Sequence, residues 1–425
     1  MKLKDFSIFI LILLAAIVID SGFLFSSMAI DFPSFYFASI NLIEGISIYD
    51  IDGIRELSNF NDHIYPYIYT PVLAQFLSIF SFLSYESALI YWRILSLILF
   101  ALSTFKLLSL FRNEGKISPL WFEILIVIIT IALSAQRYII YSGQIDLIVL
   151  SLIILSFYNY RKTNEYTSSL LLAIAILLKL FPIFLLVYFL FKDYRITLIS
   201  VGWMATFIAI SFLIFGVGPW YEYFEIVKLS SQDPEFLGIA SITNEFNSSL
   251  LAFLSSIISN PKISKIISIF AFAFLFLIGS SRLKVRSGLY KDIFDLNLIM
   301  VLMIMWSPYL WRQHFIYIFV GLFTLMIMLK KDVSFKNLIG IYLFMISATL
   351  LSYDYVKILA FFKINLPRDI YGDVNFFLLL FILVLSVAFS FYKTKDPIDY
   401  KTGSNLYQET STTSSTTNNN SSSVS

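Results

Sequence analysis

The sequence predicts an all-α polytopic membrane protein of about twelve transmembrane helices, with a long first outer loop containing interfacial helices. Three observations predict it. The chain is 58% hydrophobic and only 14% charged, where soluble domains run nearer half apolar and a quarter charged. Apolar runs of ~18 or more residues recur along its length, and Lys and Arg gather on alternate connections. This balance excludes a soluble enzyme, and it excludes one anchor on a water-soluble domain. The net charge of +2 gives no bulk basic character, so no nucleic-acid partner is expected. The absence of Cys removes disulfides, a thiol nucleophile and a Cys metal site, and the two histidines, His63 and His314, are too few for a His-rich metal centre. No metal or cofactor is expected.

Taken in order, Met1 to Asp5 and the apolar run to about Phe25 have the charge pattern of a signal peptide. The run is too long for one and no small-x-small site follows, so residues 6–28 read as a retained first span. Further spans fall near 87–110, 119–138, 143–159, 197–216, 263–281, 292–308, 314–330, 337–353 and 374–392. The stretch 168–191 carries Lys179 and Pro182 at its middle. Pro removes a ladder hydrogen bond, and a mid-membrane Lys costs roughly 2.5–3.5 kcal/mol, so two short helices meeting at Lys179 to Pro182 are expected. The short runs 70–84 and 247–259 lie beside Pro71 and Pro261 and read as interfacial or re-entrant.

Charge placement supports this count. With the N-terminus inside, the inner connections hold Lys2 and Lys4, then Lys106, Arg112 and Lys116, then Arg161 and Lys162, Lys192 and Arg195, the group Arg282 to Lys291, Lys330 to Lys336, and Lys393 to Lys401. Counting 70–84 as a span, or 168–191 as one helix, moves later clusters outside. The expectation is a multi-pass protein of the cell membrane with both termini cytoplasmic. Its organisation reads as a transmembrane module over 1–216 with a first outer loop at 29–86, an outer loop with a short interfacial helix at 217–262, a C-terminal bundle at 263–392, and a disordered tail at 393–425 whose Ser, Thr and Asn runs carry no chemistry. The first outer loop is acidic and rich in Tyr, including Tyr36, Tyr65, Tyr67 and Tyr69. Such a loop is where polar chemistry would be built.

Several residues could carry that chemistry. Asp31, just past the first span, reads either as a general base with a raised pKa or as the N-cap of a helix opening at Pro33. Lys179 is the costliest charge and could meet a phosphate oxygen, the bland alternative being snorkelling. The Pro-fixed break favours the first. Arg137 and Gln144 could clamp a phosphate and bond a sugar hydroxyl, or simply cap a helical turn. Arg312 and His314, with Trp306, Tyr309 and Trp311, could hold a sugar phosphate or form an aromatic belt. Asn247 opens the triplet Asn247-Ser248-Ser249, which reads as a glycosylation acceptor or as a cap. Asp20 and Arg93 read as a helix-packing pair or as water-facing groups.

A family resemblance rests on these motifs in order. Asp31-Phe32 with Tyr36, Gly45 and Tyr49-Asp50, then Tyr65-Pro66-Tyr67-Ile68-Tyr69-Thr70-Pro71, Gly143-Gln144, Lys179-Leu180-Phe181-Pro182, Asn247-Ser248-Ser249-Leu250 and Ser307-Pro308-Tyr309-Leu310-Trp311 with His314 resemble glycosyltransferase family 87 over about residues 1–330. The resemblance implies a C-type glycosyltransferase fold and a hexosyltransferase, mannose by preference, using a polyprenyl-phosphate-linked sugar. The acceptor implied is a glycolipid or lipid-linked glycan, met at the outer face among membrane lipids. It implies Asp31 as base, with Gln144, Lys179 and His314 at the family's Gln, Lys and His positions. Arg137 and Arg312 stand behind these for the donor phosphate, and Tyr36, Tyr69 and Asn247 for acceptor or loop. Two departures bear on sugar identity and on His314: Tyr69-Thr70-Pro71-Val72 replaces Tyr-Pro-Pro-Leu, and Gln313-His314 replaces a His pair. A single displacement predicts inversion. The rival classes are a lipid or solute transporter and a non-catalytic membrane subunit.

Overall fold

A computed structural model describes residues 3–27, 29–50, 65–113, 134–232, 242, 244, 247–283, 288–328, 339–340, 343, 346 and 371–390. The expected spans at 119–138 and 337–353 lie largely outside these residues, and the tail wholly so. Every regular element described is helical. The helices are α1 (Leu3–Leu24), α2 (Phe32–Glu44), α3 (Pro71–Leu77), α4 (Tyr85–Asn113), α5 (Ser134–Ser142), α6 (Asp146–Arg161), α7 (Glu165–Leu178), α8 (Leu185–Lys192), α9 (Tyr194–Phe215), α10 (Gly218–Gln232), α11 (Leu250–Ile257), α12 (Pro261–Ser280), α13 (Leu289–Trp306), α14 (Phe319–Met328) and α15 (Tyr371–Ser390). Short 3-10 segments fill Ser78–Phe80, Phe181–Phe184 and Arg312–Ile318.

Among the described residues, three helices are long and apolar enough to cross a membrane: Tyr85–Arg112 within α4, α9 and α12. Their burial separates their roles. The apolar window of α4 is 61% buried, against 11% for α9 and 22% for α12. The first is packed inside the protein, and the other two leave most of their apolar surface uncovered by it. Helix α6 is buried along nearly its whole length among α4, α5 and α7.

The stretch 168–191 is broken as its Pro requires. Helix α7 ends at Leu178, Lys179 is extended at φ −150° and ψ 117°, and Pro182 sits in the first turn of the 3-10 segment. Pro71 and Pro261 stand at the starts of α3 and α12, where the missing amide costs nothing. The loop after Phe215 holds more order than the sequence suggests, because α10 occupies it and Glu222 accepts a 2.6 Å bond from Ser47.

At the Arg161 end of α6, charges that the apolar run of α13 cannot carry alone are paired. Lys192 lies 2.8 Å from Asp292 and 2.7 Å from Asp295. Arg161 reaches Asp292 at 2.5 Å and Lys291 reaches Asp295 at 3.0 Å. This network fastens α13 to α6 and α8. Asp20 and Arg93 are both buried, and the expectation that they pair is corrected. Asp20 accepts from Gln136 at 2.7 Å. Arg93 donates instead to the carbonyls of Leu24, Ser26, Ile140 and Tyr141, because its fork of donors serves the end of α1 and the end of α5, whose carbonyls have no partner further along the helix.

Candidate active site

The site is built on the turn between α5 and α6. Gly143 takes φ +72°, and a Cβ there would lie 2.6 Å from Phe32 Cβ, so only glycine lets this turn close on α2. Trp92 of α4 donates to the Gly143 carbonyl at 2.8 Å, and the Asp31 amide donates to the Ser142 carbonyl at 2.9 Å. These bonds bring the start of α2 against the start of α6.

Asp31 stands at the N-cap position of α2, but its side chain makes no capping bond. Its carboxyl is instead hydrogen-bonded by the side chains of Gln144 and Ser142. Gln144 is oriented for this, because its Oε1 accepts from the Tyr69 hydroxyl at 3.1 Å and from the Ile145 amide at 3.2 Å, leaving the amino group to donate. Asp31 retains some accessible surface, yet protein packed around the carboxyl dominates its titration. Burial pushes the carboxyl up to about 7; Lys179 opposes the rise, Asp146 adds to it, and the two hydrogen bonds oppose it.

The break after α7 delivers Lys179 to the same place. Its Nζ lies 2.8 Å from both carboxylate oxygens of Asp146 and 3.4 Å from His314 Nε2. It also sits 5.0 Å from the Phe181 ring centroid and 5.8 Å from that of Tyr69. The snorkelling alternative is corrected: Lys179 is buried at 9% exposure and turned inward onto a carboxylate. His314 is buried beside it, and its Nδ1 accepts the Trp311 amide at 3.0 Å. Its ring meets Phe181 edge to face.

The other candidates divide. Tyr69 belongs to the cluster, and its backbone is held by the Tyr49 hydroxyl at 2.8 Å. Arg312 borders it, acting electrostatically on Tyr138, which in turn faces Asp31. Arg137 is exposed on α5 and acts on Asp20, so the structure does not bring it to Lys179. Tyr36 is buried and donates to the Leu83 carbonyl at 2.6 Å, packing α2 onto the start of α4. Asn247 is also buried. Its amino group donates to Ile242 and Pro308 carbonyls, each at 3.0 Å, and its oxygen accepts the Leu310 and Ser249 amides. Both the acceptor and the cap readings are corrected: Asn247 ties down the loop before His314, and Ser249 caps α11. The five-residue aromatic patch is split, with Trp306 against Phe184 and Phe272 while Tyr309 stacks on Trp311.

Asp146 is the participant that sequence reasoning missed. It follows Gln144 by two residues and is fully buried at the head of an apolar helix. An acid there needs a buried cation, and Lys179 was the available one.

Residues 67–328 match the family model described as glycosyltransferase family 87. The chain belongs to glycosyltransferase family 87. It is accordingly a membrane glycosyltransferase. No match is found among curated proteins. The region shared with family 87 contains Tyr69, Gln144, Asp146, Lys179, Asn247, Arg312 and His314, and it begins after Asp31 and Tyr36.

Proposed function

We propose that this family 87 glycosyltransferase moves a hexose, mannose by preference, from a polyprenyl-phosphate donor to a glycolipid or lipid-linked glycan at the outer face of the cell membrane. The observation that carries the reading is the meeting in one cluster of Asp31, whose carboxyl burial pushes up to about 7, with the Lys179 ammonium and His314 Nε2, which lie 3.4 Å apart. Asp31 takes the proton of the acceptor hydroxyl as that oxygen attacks the anomeric carbon, and the bond to the polyprenyl-phosphate oxygen breaks. Negative charge grows on the departing phosphate. Because His314 Nδ1 accepts the Trp311 amide, the neutral ring carries its proton on Nε2. That N–H and the Lys179 ammonium lie side by side, and neither can accept from the other. A phosphate oxygen set beside the pair, within hydrogen-bond reach of each nitrogen, accepts from both. Arg312 at the rim adds a further positive charge.

One base and a separate pair of phosphate donors suit a single displacement, so a β-linked donor gives an α-linked product. Lys and Arg clusters on alternate connections support cytoplasmic termini and a site on the far face. The test is transfer from synthetic polyprenyl-phosphate-mannose in proteoliposomes, with membrane extract as acceptor, comparing wild type with Asp31→Asn. Product from wild type alone supports the reading. Equal product from both removes Asp31 from its role, and a product with retained configuration rules out single displacement.

A further inference from the structure

Asp146 has no exposed surface, and both its carboxylate oxygens lie 2.8 Å from Lys179 Nζ. Its backbone carbonyl also accepts the Tyr317 hydroxyl at 3.5 Å. A buried ion pair is weak support for stability, because desolvating two charges offsets most of their attraction. This one stands where α6, the break after α7 and the 3-10 segment at Arg312–Ile318 converge on Asp31. Lys179 is long, extended at its backbone and next to exposed Leu180. Without an anchor its ammonium would swing toward the headgroups.

We infer that Asp146 is a positioning residue, which anchors Lys179 beside His314 and whose negative charge sets the field in which Asp31 works. The inference rests on the proposed role of Asp31 and adds a residue that needs to touch neither donor nor acceptor. The groups facing Asp31 are Ser142 and Gln144 from the turn, Asp146 from α6, Lys179 from the break, Tyr69 from the segment before α3 and Tyr138 from α5. Beyond them, His314 stands against Lys179 and Asp146, and Arg312 against Tyr138. Of the two charged groups that act directly, Lys179 favours the ionised carboxyl and Asp146 opposes it. By cancelling much of the lysine's field, Asp146 keeps Asp31 basic enough to accept a proton from a hydroxyl.

The test is a pH titration of the Asp31 carboxyl stretch by infrared spectroscopy, with the full chain in lipid nanodiscs. The band is assigned as the one lost in Asp31→Asn. Wild type is expected to titrate near 7. Asp146→Asn should titrate roughly one pH unit lower, and Lys179→Gln roughly one unit higher. An unmoved midpoint in Asp146→Asn, a shift of both in one direction, or no titrating Asp31 band overturns the inference. If Asp146→Asn does not fold, Lys179→Gln is compared with the double variant Asp146→Asn/Lys179→Gln. The double variant should titrate below the single one; equal midpoints, or failure of these chains to fold, leave Asp146 a scaffold residue and overturn the inference. The titration needs no donor. Shifted midpoints without transfer from polyprenyl-phosphate-mannose count against the donor reading alone, and transfer with an unmoved midpoint counts against Asp146 alone.

Discussion

The pH dependence of transfer follows from the burial of Asp31. A base acting on the acceptor hydroxyl works only when ionised, and an ordinary aspartate, at 3.8, is ionised at every pH above about 5. Burial penalises the charged form and moves the midpoint upward, to about 7. On this value roughly a tenth of the enzyme is competent at pH 6, about half at pH 7 and roughly nine-tenths at pH 8. The limiting rate at low donor and acceptor concentration should therefore rise about fivefold from pH 6 to pH 7 and less than twofold from pH 7 to pH 8, with a slope approaching tenfold per unit below pH 6. The assay is initial-rate transfer from polyprenyl-phosphate-mannose in proteoliposomes buffered equally on both faces, with the unfolding temperature followed in the same buffers. Asp31→Asn should lower the rate by about 10²–10⁴-fold, the usual contribution of a general base, and what remains should lose the pH limb. A rate flat between pH 5.5 and 8, or a limb kept by the Asn variant, would refute the assignment.

Three further outcomes are expected. Gly143→Ala forces a left-handed residue and a Cβ 2.6 Å from Phe32 Cβ, so it should destabilise the fold by more than about 1 kcal/mol and reduce transfer by displacing Asp31 from Gln144; thermal unfolding in detergent and wild-type activity together would contradict this. Lys192→Met leaves Asp292 and Asp295 short of a shared buried cation and should cost roughly 3–5 kcal/mol, of which Lys192→Met/Asp295→Leu recovers part; a single variant as stable as wild type would show that the network adds nothing. Asn247→Ala strands the buried Leu310 and Ser249 amides and should cost about 1–3 kcal/mol, while mass spectrometry of the folded protein from a glycosylating host should find Asn247 bare; a glycan there would overturn the buried-pin assignment.

The legible part of the fold was the part set by composition along the chain. The apolar runs of α4, α9 and α12 are long enough to be recognised without knowledge of their neighbours, and Pro182 dictates a break wherever the segment ends up. By contrast, α10 was not legible because its aromatic and acidic residues have no single period that tells an interfacial helix from a loop. The residues of α13 looked like one more span, although Lys291, Asp292 and Asp295 mark its first turns. Lys291 pairs with Asp295 within the helix, and Asp292 is matched by Lys192 and Arg161, which arrive from 100 and 131 residues away.

The candidate site shows the same division. Residue type and cost singled out Lys179 from the sequence and left Asp31 open between base and cap, since a charge at the edge of an apolar run needs a reason to be there, while Gln144 and His314 entered through the family resemblance. Which of them meet was decided by three-dimensional packing. The Gly143 turn sets Asp31 against Gln144, and the extended backbone at Lys179 turns its ammonium toward Asp146 and His314. The same packing sends Arg137 to Asp20, Arg93 to four backbone carbonyls and Asn247 into the loop before His314. The sequence by itself determined that the chain lives in a membrane and which residues need a partner there, because the cost of a polar group in lipid depends on its identity and its flanks. Only the tertiary structure decided what each such group is paired with, because hydrogen bonds and ion pairs act over about 3 Å, and residues that close can be 135 positions apart in the chain, as Lys179 and His314 are.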